Sequence, residues 1–253
     1  MVRPGNPDHG RHPPIHLGGI GISHDRYPTR DHHPFNLEIL QNTSRLIFSS
    51  PVTFFAGENG SGKSTLLRGI CLSCGIHIWE SERRRRLEPN RYEGRLHEAI
   101  DVQWSSQGVP GAFFASEIFR DFSQALDEFA AADPGFLRYF GGRSLVSQSH
   151  GQSIMSYFRS RCRIEGLYLL DEPETALSPR SQIQLLRILA GACRGGGAQF
   201  IIASHSPILL SCPGALIYSF DGDAVEPISY EETDHYRVYH DFMLDRNRYL
   251  AGP

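Results

Sequence analysis

The sequence predicts an α/β fold with a largely parallel core sheet and flanking helices. Three short apolar runs carry that expectation: Val52 to Ala56, Leu167 to Leu170, and Phe200 to Ala203. Each is too short for a helix and apolar throughout, which suits strands covered on both faces. Each also ends in a change of character, and stretches of helical period separate them, the alternation that builds a parallel sheet.

The chain before these runs is a different material. Residues 1–34 are rich in Pro, Gly, His and Arg, and "MVRPGNPDHGRHPP" cannot pack a core, so the stretch reads as a flexible arm. Within it "HLGGIGIS" (16–23) has the composition of a first strand, with Gly18 and Gly19 marking a bulge or bend. Six of the twelve His fall between residues 9 and 33, but at irregular spacing and with no Cys or carboxylate cluster to complete a metal site. Order is expected from Phe35, with "FNLEIL" and "RLIFSS" as short strands and residues 35–253 as a single domain.

Composition bounds the rest. The 253 residues are 40% hydrophobic and 21% charged, ordinary values for a globular chain. A formal net charge of −3 gives no global pull towards nucleic acid or anionic membrane. Five Cys without regular spacing, no leader-like apolar segment and no apolar run near the ~18–20 residues of a bilayer span predict a cytoplasmic, reducing compartment. The pair Cys71/Cys74 has the CxxC form, but without a second pair it reads as helix packing. The one dense basic run, "ERRRRLEPNR" (82–91), reads as a solvated helix face beside Glu80, Glu82 and Glu88; the alternative is a grip on DNA phosphates.

The first strand run leads into "GENGSGKST" and then into a helical period at Leu66, Leu67 and Ile70. Strand, glycine-rich turn and helix is the context that a GxxxxGK[ST] match requires. Gly57, Gly60 and Gly62 free the backbone to turn successive N–H groups inward, with Glu58, Asn59 and Ser61 between them. The helix offers its N-terminus to phosphate, Lys63 adds a full charge, and the hydroxyls of Ser64 and Thr65 follow, Ser64 placed for Mg²⁺. This is a nucleotide-binding loop. Asp171 and Glu172 close the second run, and two adjacent carboxylates at a buried strand end are hard to satisfy without a cation. Asp171 suits the metal, and Glu172 suits the general base that polarises an attacking water. His205 follows the third run. All three residues fall beyond the carboxyl ends of their strands, where open α/β sheets bind ligands.

A phosphate loop, an Asp–Glu strand end and a later His resemble the ABC-type ATPases, and among them the soluble branch of the Rad50 and SMC heads, within the broad AAA family. Gln148–Ser149–His150–Gly151–Gln152 resembles their LSGGQ signature, with Gln and His replacing Leu and the first Gly. The resemblance runs from about residue 35 to 220, in the family's motif order. It is nearest to small stand-alone bacterial ATPases that share "GGRSL", "LYLLDEPE" and a late "YEETDHY" (230–236). It implies a P-loop NTPase of ABC type, with an antiparallel N-terminal β part and a helical lobe over about 76–160, read as helices and loops with one strand pair. It implies ATP and Mg²⁺ as ligands, and a homodimer in which Ser149, Gly151 and Gln152 cap the nucleotide of the other chain from a helix starting at Ser153. Lys63, Glu172 and His205 become the catalytic set, with His205 reading the γ-phosphate. Glu117, after "AFFAS", matches the Q-loop better than Gln103 in "AIDVQWSS". Tyr27 and Phe35 are the candidates for stacking on adenine. Thr175–Ser178 lacks the Asp that transporter ATPases carry there, and no heptad pattern predicts a coiled-coil arm. Three purposes stay open: a clamp acting on DNA or a protein partner in repair or defence, the ATPase subunit of a transporter, and a binding switch with little turnover.

Overall fold

The structure is a computed structural model that describes residues 15–79, 90–105 and 107–250. In chain order it contains β1 (Leu17–Ile22), α1 (Glu38–Gln41), β2 (Arg45–Ile47), β3 (Val52–Ala56) and α2 (Lys63–Ser73). There follow β4 (Ile100–Trp104), β5 (Gly111–Ala115), α3 (Phe119–Ala132), α4 (His150–Arg161) and β6 (Gly166–Asp171). The chain continues through α5 (Pro179–Gly196), β7 (Ala198–Ala203), α6 (Pro207–Leu210), β8 (Leu216–Ser219), β9 (Glu226–Ile228), α7 (Asp234–Leu244) and α8 (Arg246–Leu250).

The larger sheet has the order β5-β6-β7-β3-β8-β9, parallel except where β9 pairs antiparallel with β8. Every residue of β3, β6 and β7 is buried, as the apolar runs require of strands covered on both faces. The strand period of two then sorts neighbours onto opposite faces. Phe54, Tyr168, Leu170, Phe200 and Ile202 join one core with Phe114, Ile154, Phe158, Leu185 and Leu189, under α3, α4 and α5. Phe55, Leu167, Leu169 and Ile201 join the other with Leu66, Leu67 and Ile70 of α2 and with Leu17, Ile20 and Leu46.

Beyond α2 lies an antiparallel sheet of order β2-β1-β4. Its β1–β4 register shifts between Leu17 and Gly19, the bulge that Gly18 and Gly19 predict. Gln199 in β7 ties this sheet to the main one. Its Oε1 accepts from the N–H groups of His16 and Leu17, each at 2.8 Å, and its Nε2 donates to Leu17 O at 2.9 Å.

Four expectations are corrected. Packed structure begins well before Phe35, since Leu17 and Ile20 are fully buried; residues 1–14 of the proposed arm lie outside the described residues. "FNLEIL" supplies the single turn α1 and not a strand. The two strands within 76–160 do not pair with each other: β4 belongs to the antiparallel sheet and β5 to the edge of the parallel one. Helix α4 starts at His150, ahead of Ser153, because Ser149 takes an extended N-cap conformation and its N–H donates to Gln152 Oε1 at 3.2 Å.

Register places the site. Phe55 pairs with Ala203, Ala203 with Asp171, and Asp171 with Ala115. The four strands therefore end level, and the segments leaving them (57–65, 204–206, 172–178 and 116–118) emerge along one edge.

Candidate active site

Gly57, Gly60 and Gly62 all adopt positive φ, at 146°, 80° and 102°. Gly57 is fixed twice over: a Cβ there would lie 2.8 Å from Asp221 Oδ1. The same Asp221 oxygen accepts from Glu58 N at 2.8 Å, so the segment after β8 braces the start of the loop. Lys63 is buried inside the loop, its Nζ donating to Gly57 O (2.7 Å), Glu58 O (2.6 Å) and Ser61 Oγ (3.3 Å). Burial lowers its pKa; the carboxylates of Asp221, Glu172, Asp171 and Glu58 oppose that shift. The ammonium thus sits in a cage of oxygens at the N-terminus of α2, where backbone donors also converge.

Asp171 ends β6 and is buried. Ser64 Oγ donates to its Oδ1 at 2.7 Å. Burial pushes the carboxyl pKa up, the Ser64 bond and Arg68 pull it down, and the charges of Glu172 and Glu117 push it up again. Glu172 is the only non-glycine residue at positive φ among those described, at 46°. Its N–H bonds Ala203 O at 2.9 Å, and its carbonyl accepts from Ser116 Oγ at 2.5 Å. Such a conformation persists only where neighbours hold it, and here two adjacent strands do. The Glu172 carboxylate lies 3.6 Å from His205 Nε2.

His205 is held from three sides. Glu174 Oε1 accepts from its backbone N–H at 2.7 Å and from Ser204 Oγ at 2.9 Å. Burial pushes the Glu174 carboxyl pKa up. The third contact runs from His205 Nδ1 to His235 Nε2, 3.1 Å apart. Burial, and next the charge of Lys63, lower the His205 pKa, and burial is also the main cause lowering that of His235. Both shifts favour the neutral rings.

Lys63, Ser64, Asp171, Glu172 and His205 are therefore brought together at one edge. Glu117 joins them: it follows β5 and its charge reaches Asp171. Gln103 does not, because β4 carries it in the other sheet, where it accepts from Arg45 at 3.2 Å. Phe35 is fully buried against Tyr27, their rings 4.8 Å apart, and Tyr27 is half-buried with its hydroxyl on Leu40 O at 3.3 Å. Burial pushes the Tyr27 pKa up to about 12. Of the two, only Tyr27 retains exposed surface. Ser149, Gly151 and Gln152 stand at the start of α4, with Ser149, His150 and Gln152 exposed. Gly151 is needed sterically, since a Cβ would meet Ala176 O at 2.9 Å. Cys71 is buried with its Sγ on Ile76 O at 3.4 Å, and burial pushes the Cys74 pKa up to about 12, as packing residues should behave. Most of the basic run lies outside the described residues; Arg91 stacks on Tyr92, 4.7 Å from the ring centre.

Sequence reasoning missed Glu174, Asp221 and His235. Glu174 stands in plain view as the last carboxylate of "DEPE", and His235 sits inside "YEETDHY". Asp221 carries no local signal, because the loop it braces is far away in the chain.

A lysine caged by a glycine-rich turn, one strand from a Ser-bonded Asp, is the geometry of P-loop nucleoside triphosphatases. Comparison with known proteins agrees. Residues 34–103 match the family described as "AAA domain", and residues 135–211 the family described as "AAA domain, putative AbiEii toxin, Type IV TA system". The cytochrome c biogenesis ATP-binding export protein CcmA of Mesorhizobium japonicum is 30% identical over 164 residues, covering 60% of this chain and 77% of that protein. The protein of the same name from Hahella chejuensis is 26% identical over 179 residues, covering 66% of this chain and 82% of the relative. Among solved structures, the SMC head domain from Thermotoga maritima aligns over 85% of this chain and all of that one, at 14% identity and a TM-score of 0.43. The chain belongs to the ABC-type P-loop ATPases; it binds ATP and hydrolyses it. Among the described residues no helix is long and apolar enough to cross a membrane.

Proposed function

We propose that the chain works as an ATP-dependent dimeric clamp that drives a partner. The observation that carries this reading is the presence of two half-sites on separate elements. One is the sheet edge with Lys63, Asp171, Glu172 and His205; the other is the exposed N-terminus of α4 with Ser149 and Gln152. In the clamp each edge is closed by the α4 terminus of a second copy, whose backbone donors and dipole favour a γ-phosphate.

Within one site, Gly57 to Thr65 wrap the phosphates, and Lys63 exchanges its loop oxygens for β- and γ-phosphate oxygens. Ser64 and Asp171 are the residues that fit Mg²⁺. Their hard oxygen donors lie 2.7 Å apart, and a carboxylate whose burial is only partly compensated gains from a cation. Bound there, the ion supplies neutralising charge to the phosphates. Glu172 takes a proton from water as its oxygen attacks the γ-phosphorus and the bond to the ADP oxygen breaks. His205 donates to a γ-phosphate oxygen and so distinguishes ATP from ADP. Glu117 reports occupancy to the α3–α4 region. Replacing Glu172 by Gln is expected to keep MgATP binding, to lower turnover by about 10²- to 10⁴-fold, and to accumulate dimer by light scattering. A variant that stays monomeric in saturating MgATP sinks the clamp.

The relatives' name favours a second reading, the ATPase subunit of an exporter. It requires a separate membrane subunit, and the absence of Asp from Thr175–Ser178 speaks against it. Purification from the native host separates the two: a membrane protein retained through detergent washes supports the exporter.

A further inference from the structure

Thr233 is buried at the start of α7, its Oγ1 donating to Tyr230 O at 2.7 Å and accepting from Tyr236 N at 3.2 Å. This anchor delivers the next two residues to the phosphate loop. Asp234 lines the same cleft as Glu58, Asn59, Gly60, Ser61 and Asp221, and His235 Nε2 meets His205 Nδ1 at 3.1 Å. On its other side His205 presents Nε2 to Glu172 Oε1 at 3.6 Å. Among the described residues neither His205 Nε2 nor His235 Nδ1 has a hydrogen-bond partner, and both atoms are buried.

Two proton arrangements satisfy the contact between the rings. If His205 Nδ1–H donates, its Nε2 lone pair faces the Glu172 carboxylate, and His235 must bury an N–H at Nδ1 with no acceptor. Both consequences are unfavourable: a lone pair repels the carboxylate it faces, and a buried donor without an acceptor gives up its hydration for nothing. If His235 Nε2–H donates instead, the unpaired donor is His205 Nε2–H, but it faces the Glu172 carboxylate 3.6 Å away and the reaction centre, and His235 buries only a bare lone pair. We infer that His235 is a positioning residue of the ATPase site, donating to His205 Nδ1 and so fixing the tautomer in which His205 Nε2–H faces the γ-phosphate. The inference rests on the reading of His205 as the γ-phosphate donor. It gives a use to a segment that folds against the loop from the far end of the chain. A neutral His205 needs this help, since its ring alone has no fixed tautomer.

The test uses the full chain labelled with ¹⁵N-histidine, alongside steady-state ATPase kinetics. In the wild-type protein the His205 resonances are expected to show the Nε2–H tautomer. His235→Ala is expected to leave a tautomer mixture and to lower kcat about 10- to 100-fold, the range for partners that orient a reactive ligand, with KM for ATP within about twofold. His235→Gln, whose amide N–H₂ reaches the position of the lost Nε2–H, is expected to restore most of kcat. A dominant Nδ1–H tautomer in the wild type overturns the inference, and that spectrum needs no variant to fold. Unchanged kcat in His235→Ala, or a His235→Gln no better than Ala, overturns it as well. His205→Ala separates the two readings: full turnover there removes the role of His205 itself, while the wild-type spectrum still reports whether His235 sets its tautomer.

Discussion

Asp171 is a carboxylate in the wrong medium until something cationic arrives. Its folded pKa lies above the ordinary aspartate value, chiefly through burial, so the ionised form is penalised in the native state. The sign follows. Between the free aspartate pKa and the raised one the native state binds more protons than the unfolded state, so stability falls as pH rises through that window. Asp171→Asn keeps an acceptor for Ser64 and removes the charge. The nucleotide-free variant is expected to melt several degrees above the wild type at pH 7 and to lose the rise in Tm that MgATP gives. A lower Tm would mean that Ser64 and Arg68 outweigh burial. At this scale the loop, the Asp–Glu pair and His205 were legible because their chemistry is written in contiguous residues. Glu174, Asp221 and His235 were not, because each acts through a hydrogen bond across a wide gap in sequence.

Helix α4 shows what a single element decides. The stretch 148–152 reads as a degenerate signature, and the structure adds a steric reason for its glycine. Gly151 lies against Ala176, so the helix start and the 175–178 segment after the acidic strand are one packed unit. Gly151→Ala forces the two apart; it is expected to destabilise the fold by about 1–3 kcal/mol in urea titrations and to weaken ATP-dependent dimerisation. Loss of dimer without loss of stability would show that Gly151 serves only the second chain, and no effect on either would mean that the contact yields. The same scale shows why some elements were misread. "FNLEIL" has apolar residues at alternate positions 35, 37 and 39, yet Ile39 and Leu40 are both buried, as one helical turn allows and a half-covered strand does not. Four residues carry too little period to decide. A strand pair within 76–160 was legible as such, but partner choice is set by the sheets the strands meet: β4 alternates buried and exposed positions, whereas β5 feeds an edge beside the fully buried β6.

For the whole molecule the question is whether the two half-sites of one chain meet each other or those of a second copy. A two-fold dimer places both composite sites symmetrically, each taking its phosphate loop from one chain and its α4 terminus from the other. That geometry makes a prediction no single-chain site shares. Lys63→Ala removes the loop but leaves α4 intact; Ser149→Arg blocks the α4 terminus with a long side chain but leaves the loop intact. Each variant alone has no complete site and is expected to be inactive. Mixed in equal amounts, about half the dimers pair one of each, and each such dimer has one complete site out of two, so turnover should return to about a quarter of wild type. The regained rate should also vary with protein concentration, because the site exists only in the complex. If the mixture hydrolyses ATP no faster than the sum of the separate variants, the two half-sites do not combine between chains. If Ser149→Arg alone keeps wild-type turnover, the sheet edge is complete within one chain and α4 belongs to another surface. Complementation would instead make dimerisation the gate on hydrolysis, and a partner that holds two copies apart or together would then control the rate without touching Glu172 or His205.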